Sequence, residues 1–251
     1  MAICRPISRR EENVPQFYSL KRLGTPSPPK TFRELETWLT ENGKYRKWDA
    51  KIYVAKSIRW EAKASEFQQR GCSPNYQAGW WSLACCKYDM RTARPFRDIA
   101  IDLTIPTYIF TLGKLEPELG QPLVSVAEVT EHSFRTMKEY FQFLLEQHNR
   151  GLTSSRSTCV RRNDGLFGWR FGDCHSDLSG KIGKPHQHHV HRRDDSWKND
   201  CNGEHMILAS DRFLLWPEPA FVAATTQKQS RYGTDIDPST LRKLLKRHTC
   251  G

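Results

Sequence analysis

The stretch Trp80-Trp81-Ser82-Leu83-Ala84-Cys85-Cys86 decides the fold, because its apolar residues would lie on both faces of a strand. A strand at the surface would alternate apolar and polar residues, so this one is predicted at the centre of a sheet, covered on both faces. The turn Gly71-Cys72-Ser73-Pro74-Asn75 leads into it, and the cation Lys87 follows it. We therefore place the rest of the chain around a buried central strand.

Short β-rich runs on either side of this strand predict the remaining sheet. They are bounded by proline and glycine, as strands are at their ends. They are Ile52–Ile58, Ile99–Ile105, Thr107–Leu112, Leu123–Val129, His205–Ser210 and Phe213–Trp216.

Helical spacing of apolar residues predicts helices that pack on this sheet. Thr31 caps the first, with Glu34 completing a capping box. The second runs from Ser133 to Gln147, with Met137 and Tyr140 in its apolar stripe. The predicted fold is α+β, a mixed or antiparallel β-sheet with packed helices and a long polar insertion.

Composition divides the chain into a domain with flanking segments. Residues 1–30 are rich in proline and scattered charge, which predicts a disordered basic leader. The domain spans residues 31–225 and contains an insertion at 148–204 that is rich in glycine and histidine and poor in aliphatic residues. Residues 226–251 predict a basic C-terminal helix, capped by Asp237 with Pro238 at its first position.

Charge and cysteine usage limit the class of protein. The 39 lysines and arginines exceed the 28 aspartates and glutamates, which gives a net charge of +11 and favours attraction to polyanions; the alternative is a solvated basic surface. No apolar run is long enough for a membrane span, and residues 1–10 lack the apolar core of a secretory signal. We expect an intracellular protein, cytoplasmic or nuclear, with mostly reduced cysteines and no membrane partner.

The end of the central strand joins thiols to cations. Cations near a strand end lower the pKa of a thiol, so Cys86 is a candidate nucleophile, although buried cysteines are also common core residues. Lys87 and Arg91 lie four residues apart, where their charges can bind phosphate. The alternative is a solvated basic patch, and as surface charges both should be replaceable with a change in stability of only about ±0.5 kcal/mol.

The insertion holds further candidate chemistry. His186, His188 and His189 lie close together and are candidate ligands for zinc, but their spacing to the nearest cysteines does not match that of a structural zinc site. Asp173 offers an acid–base group if the insertion folds over the site, and the alternative is a solvated loop carboxylate. No nucleophile elbow, phosphate-binding loop or dinucleotide-binding glycine motif occurs.

Four stretches of the sequence resemble the nucleotide modification associated domains, most nearly the second or third of that numbered group. The most specific is Ser82-Leu83-Ala84-Cys85-Cys86-Lys87, which is similar to the family's threonine-leucine-alanine-cysteine-cysteine-lysine strand and is preceded by a Pro74-Asn75 turn. Gly172-Asp173 is similar to an intervening glycine-aspartate, and Leu208 to Phe213 is similar to the closing strand. The resemblance implies a role beside enzymes that make or handle modified bases.

These observations give three hypotheses. The first is recognition or processing of a nucleotide or modified nucleic acid in a base-modification pathway, through a cleft containing Asn75, Lys87 and Arg91, with base-modification enzymes as further partners. The second is a metal-dependent or thiol enzyme of another class that uses Cys86 or the histidines. The third is a non-catalytic protein-interaction module whose charge only keeps it soluble.

Overall fold

The computed structural model describes residues 18–19, 27–41, 46–69, 74–77, 80–83, 88–92, 96, 105–130, 139, 160–161, 167–168, 208–228, 230 and 232–248. The helices are α1 (Phe32–Leu39), α2 (Tyr88–Thr92) and α3 (Leu241–Leu244). The strands are β1 (Tyr18–Ser19), β2 (Asp49–Val54), β3 (Ile58–Glu61), β4 (Glu66–Gln69), β5 (Asn75–Gln77), β6 (Trp80–Leu83), β7 (Thr107–Leu112), β8 (Leu123–Glu128), β9 (Val160–Arg161), β10 (Phe167–Gly168), β11 (Leu208–Ser210), β12 (Phe213–Leu215), β13 (Phe221–Ala223), β14 (Thr234–Ile236) and β15 (Leu245–Arg247).

A five-stranded mixed sheet forms the centre of the described structure. Its strand order is β12-β8-β7-β2-β14. β2 and β7 are parallel, with Asp49 opposite Thr107, and the other neighbours are antiparallel. The α+β class and the sheet are therefore confirmed, and β7 has the bounds that the sequence predicts.

One face of this sheet is apolar and carries α1. Side chains alternate between the two faces of a strand, so Ile52 and its registered partner Phe110 share a face. Leu35 and Leu39 of α1 are fully buried, and the ring of Trp38 lies 5.6 Å from that of Tyr108. The capping box that starts α1 is present, with the Glu34 N–H donating to Thr31 Oγ1 at 3.2 Å.

The opposite face of the same sheet is buried but partly polar. Tyr53, Thr111 and Ser125 are registered partners on β2, β7 and β8, and each is at most 5% exposed. Lys51 lies on the same face of β2 at 4% exposure. Burial of a charged group requires a partner, and the Lys51 ammonium lies 2.5 Å from Asp235 Oδ1 on β14.

The stretch Trp80–Leu83 forms the middle strand, β6, of a second sheet, ordered β11-β6-β5. Trp81, Ser82 and Leu83 are all 0% exposed, which confirms the central position predicted for this strand. Residues 84–87, which comprise the end of the predicted strand with Cys86 and the following Lys87, lie outside the described residues.

Residues 208–215 connect the two sheets. β11 pairs with β6, and β12, only two residues later, pairs with β8. Backbone hydrogen bonds from Glu128 N–H to Arg212 O and from Thr130 N–H to Ala209 O fasten the connection to the end of β8. A strand that bends between sheets forms a corner of the core.

The C-terminal segment is not the long helix predicted for residues 226–251. Among the described residues of this segment only Leu241–Leu244 is helical, and the chain then becomes the extended strand β15, paired with β13. Asp237 caps the preceding turn, accepting hydrogen bonds from the N–H groups of Ser239 and Thr240, and does not cap the helix. Pairing with β13 overrides the helical spacing of the leucines, because β15 buries Leu245 against the core.

Other predictions fall wholly or partly outside the described residues. Of the predicted helix Ser133–Gln147, only Glu139 is described, and it is helical; of the predicted strand 99–105, only Ile105 is described. The insertion 148–204 is described only at β9 and β10, which pair with each other. Where the leader is described it is joined to the fold, since β1 pairs with β4 and Pro29 O accepts a hydrogen bond from Trp216 Nε1 at 2.8 Å.

Candidate nucleic-acid interface

The part of the chain from β5 to α2 carries half of the eight predicted site residues: Asn75, Cys86, Lys87 and Arg91. Asn75 lies in β5, where it is the registered partner of Ser82 in β6, and Arg91 lies in α2. Ser82 is 0% exposed, and its hydroxyl has no hydrogen-bond partner among the described residues. The ladder thus brings Asn75, a predicted ligand-binding residue, beside a buried polar group.

The position of Arg91 corrects the premise that it is a surface charge. It is 0% exposed, as is its neighbour Met90. A guanidinium stays charged in proteins, and a buried charge requires compensating partners. The interior around α2 must therefore supply such partners to Arg91. A solvated patch is therefore excluded for Arg91, and its replacement will disturb the core. Its role as a phosphate ligand stays a prediction.

The remaining predicted site residues lie outside the described ranges. These are Cys86, Lys87, Asp173, His186, His188 and His189. Within the described ranges, no group of three or more histidine, cysteine, aspartate or glutamate side chains is placed to hold a metal ion. The thiol, acid–base and zinc hypotheses therefore stay predictions.

The absence of a side chain at Gly233 allows the start of β14 to pack closely against α2 and the central sheet. Gly233 has φ +73°, and a Cβ built there would lie 2.8 Å from Met90 Sδ, 3.0 Å from Ile52 O and 3.3 Å from Lys51 Cβ. Only a residue without a side chain fits both this backbone angle and these contacts. The contacts bring the residues before β14 beside α2, which follows Lys87 in the chain.

Exposed cations gather where α1 meets the C-terminal segment. We call this the C-terminal basic surface, defined by Lys30, Arg242, Lys243, Lys246 and Arg247, all of which are exposed. Two contacts hold the start of α1 beside the C-terminal segment. Phe32 packs on Phe221 with ring centroids 5.1 Å apart, and β15 pairs with β13. The α3–β15 turn therefore presents its cations beside the start of α1.

The carboxylates at this surface are already engaged. Arg242 donates two hydrogen bonds of 2.8 Å to Glu36, a bidentate contact between α3 and α1. Glu34 accepts from the backbone N–H groups of Lys30 and Thr31. Among the described residues, no carboxylate forms an ion pair with Lys243 or Lys246. Their charges remain available to a polyanion.

Hydrogen bonds shift the pKa values of these groups in a consistent direction. The Arg242 guanidinium lowers the pKa of the Glu36 carboxyl, and Glu36 in turn raises the pKa of Arg242. The backbone N–H of Lys30, followed by that of Thr31, lowers the pKa of Glu34, and the Ser239 hydroxyl lowers that of Asp237. All three carboxyls are therefore ionised at neutral pH.

No family model, curated protein or solved structure matches this chain. The likeness of Ser82–Lys87 to the nucleotide modification associated domains therefore rests on the identity of these residues alone.

Arg212 is a cation whose contacts stabilise the fold. Its guanidinium donates to Trp38 O at 2.6 Å and to the Tyr108 hydroxyl at 3.2 Å, and it pairs with Glu128. Its Cζ also lies 4.3 Å from the centroid of the Trp38 ring. These contacts join the corner between β11 and β12 to α1, so Arg212 fastens the sheet to the helix and has little capacity left for a ligand.

Sequence reasoning missed the C-terminal basic surface. The alternation of leucines with Arg242, Lys243, Lys246 and Arg247 was visible, but it predicted an isolated basic helix. Which cations remain unpaired depends on Glu36 in α1, 206 residues earlier in the chain than Arg242. No local pattern contains that information.

Proposed function

We propose that this protein recognises or processes a nucleotide or modified nucleic acid in a base-modification pathway, with the C-terminal basic surface binding the phosphate backbone. The observation that carries the proposal is the exposure of the ammonium groups of Lys243 and Lys246, with which no carboxylate of the described residues forms an ion pair, beside carboxylates that are already engaged. The net charge of +11 supports it, since the field of the whole chain attracts polyanions from a distance.

Phosphate binding at this surface has a definite physical basis. Each cation that neutralises a phosphate releases condensed counterions, which makes binding favourable at low salt and weaker as salt rises. Arg242 contributes less than the lysines, because Glu36 already occupies its guanidinium. Such contacts supply affinity and carry no base sequence information.

Recognition of the base is assigned to the β6–α2 segment. The resemblance of Ser82–Lys87 to the nucleotide modification associated domains favours this segment, and Asn75 offers an amide that can both donate and accept hydrogen bonds. Lys87 is the cation we expect to contact a phosphate there, with Arg91 supporting the segment from the interior.

A binding titration tests the proposal. Fluorescence anisotropy of labelled single-stranded and double-stranded DNA and RNA is measured at two salt concentrations with wild-type protein and a Lys243→Gln, Lys246→Gln variant. We expect binding that weakens with salt, and a variant that binds less tightly with a salt slope smaller by about 1 for each lost contact.

A matched double variant controls for net charge. Lys56→Gln, Lys63→Gln removes two exposed lysines from the turns that flank β3, so it changes the total charge equally. We expect it to keep most of the wild-type affinity. Absence of measurable binding by the wild type at low salt, or an equal loss in both variants, would overturn the role of the C-terminal basic surface.

The zinc and thiol hypotheses have separate measurements. Elemental analysis of the purified protein would show stoichiometric zinc, lost in a His188→Ala, His189→Ala variant, if the histidines form a native site. Rapid alkylation of Cys86 relative to the other thiols would support a nucleophile. A metal-free protein with an unreactive Cys86 would remove both hypotheses.

A further inference from the structure

The strand β15 lies at the open end of a small two-stranded sheet. Among the described residues it pairs only with β13. The other edge of β13 is occupied, because Ala223 N–H donates to Gln121 O at 2.8 Å and Val222 forms a bridge with Pro122. We call the side of β15 that faces away from β13 its outer edge. A further strand can join the sheet at this edge.

The pairing register determines which backbone groups point to the outer edge. Hydrogen-bonded and non-hydrogen-bonded residue pairs alternate along an antiparallel ladder. His248 N–H donates to Ala220 O at 2.8 Å across the ladder, so Lys246, two residues earlier, also directs its backbone groups to β13. Leu245 and Arg247 therefore direct theirs outward. The Leu245 N–H is used at the end of α3, which leaves the N–H of Arg247 and the carbonyl groups of both residues at the outer edge.

These three groups match a peptide strand and not a phosphate. Phosphate oxygens accept hydrogen bonds, so they suit the N–H of Arg247 but give nothing to the two carbonyl groups. A peptide backbone carries both N–H and C=O groups, and an added antiparallel strand satisfies all three positions. The backbone of the outer edge therefore favours a protein as its partner.

Exposed cations flank the outer edge and favour one charge of partner strand. Lys246 and Arg247 are exposed, and they lie on opposite faces of β15 because side chains alternate along a strand. No carboxylate of the described residues forms an ion pair with either side chain. Like charges repel across paired strands and opposite charges attract, so a second copy of β15 is disfavoured and an acidic strand is favoured.

We propose that the outer edge of β15 binds an extended acidic segment of a partner protein, which adds to the sheet as an antiparallel β-strand. The backbone of Leu245 and Arg247 supplies the ladder, and the side chains of Lys246 and Arg247 pair with carboxylates on the two faces of the added strand. This protein-binding activity goes beyond the proposed function and does not rest on it. Nucleic acid at the C-terminal basic surface would compete with the acidic segment, since both contact Lys246.

Fluorescence anisotropy with the full chain tests strand addition. The first probe is a short labelled peptide in which pairs of glutamates alternate with pairs of threonines. The second has lysine in place of glutamate, and the third is the acidic peptide with every glutamate nitrogen methylated, which keeps the charge and removes the backbone donors. We expect the acidic peptide to bind and the lysine peptide not to bind. The methylated peptide should bind at least about 10-fold more weakly than the acidic one, because the two outward carbonyl groups lose their donors.

Two substitutions at Arg247 separate its backbone from its charge. Arg247→Gln removes the charge alone. Arg247→Pro also removes the outward N–H, which an edge strand tolerates because the ladder with β13 does not use it. We expect Arg247→Pro to bind the acidic peptide about 2-fold to 10-fold more weakly than Arg247→Gln, the range for loss of one hydrogen bond. Lys63→Gln removes an exposed lysine from the turn after β3 and should bind as the wild type does.

The outcomes distinguish this inference from the proposed function. Equal binding of the acidic and methylated peptides, or of Arg247→Pro and Arg247→Gln, would overturn strand addition. A wild-type dimer that Arg247→Pro dissociates in sedimentation would also overturn it, because the occupant would be a second copy. If Arg247→Pro does not fold in thermal unfolding, the peptide comparison on wild type decides. Binding of DNA or RNA without binding of the acidic peptide removes this inference alone, and the reverse result removes the proposed function alone.

Discussion

Replacement of Gly233 by alanine tests the contact that joins β14, β2 and α2. Two costs apply. The left-handed backbone at φ +73° costs about 1–2 kcal/mol for a residue with a Cβ. The new methyl group also meets Ile52 O at 3.0 Å and Met90 Sδ at 2.8 Å. The methionine can rotate away, but the strand carbonyl cannot, so overpacking adds about 1–3 kcal/mol.

Gly120→Ala provides the matched control for this substitution. Gly120 also has a positive φ, +89°, but a Cβ there would meet no atom within 4 Å. Gly120→Ala should therefore lower the free energy of unfolding only by the cost of the left-handed backbone, about 1–2 kcal/mol. Urea unfolding followed by tryptophan fluorescence gives the free energy of unfolding of each variant, and we expect Gly233→Ala to be the less stable by about 1–3 kcal/mol. Equal losses would refute the close packing of Gly233 on the backbone of β2.

Three further predictions concern stability. Thr31→Ala removes the α1 cap and should cost about 1 kcal/mol in urea unfolding, and an unchanged midpoint would contradict the capping role. Thr111→Val removes a hydroxyl that has no hydrogen-bond partner among the described residues, so it should be neutral or stabilising, and a large loss would show that the hydroxyl is bonded. The Glu36–Arg242 pair is partly exposed, so its contribution to stability should be small. Because the folded-state pKa of Glu36 lies below its ordinary 4.5, this stabilisation is complete above about pH 4.5 and is lost as pH falls through the lowered value; Glu36→Gln should remove that part of the acid dependence.

Local chemistry explains the parts of the fold that the sequence predicts well. Thr31 and Glu34 form the capping box within one turn, and Thr107–Leu112 is bounded by Pro106 and Gly113. Both features depend on neighbours in the chain. β14 and β15 were missed because their strand character comes from β2 and β13, which lie elsewhere in the sequence.

The candidate site was less predictable for a related reason. A cation is available to a ligand only if no carboxylate occupies it and if it reaches solvent, and both conditions are tertiary. Arg91 and Lys243 look alike in sequence, each being a cation among helical residues, yet Arg91 is 0% exposed and Lys243 lies in solvent.

The late position of β14 in the chain has a consequence during protein synthesis. It pairs with β2, and 184 residues separate Lys51 from its partner Asp235. At about 5–20 residues per second, a ribosome needs roughly 10–40 s to make that interval. For this time one edge of β2 has no partner strand, and an open strand edge can pair with another chain. We expect the nascent polypeptide to be prone to aggregation during this interval, when a chaperone bound at β2 would have most effect on yield.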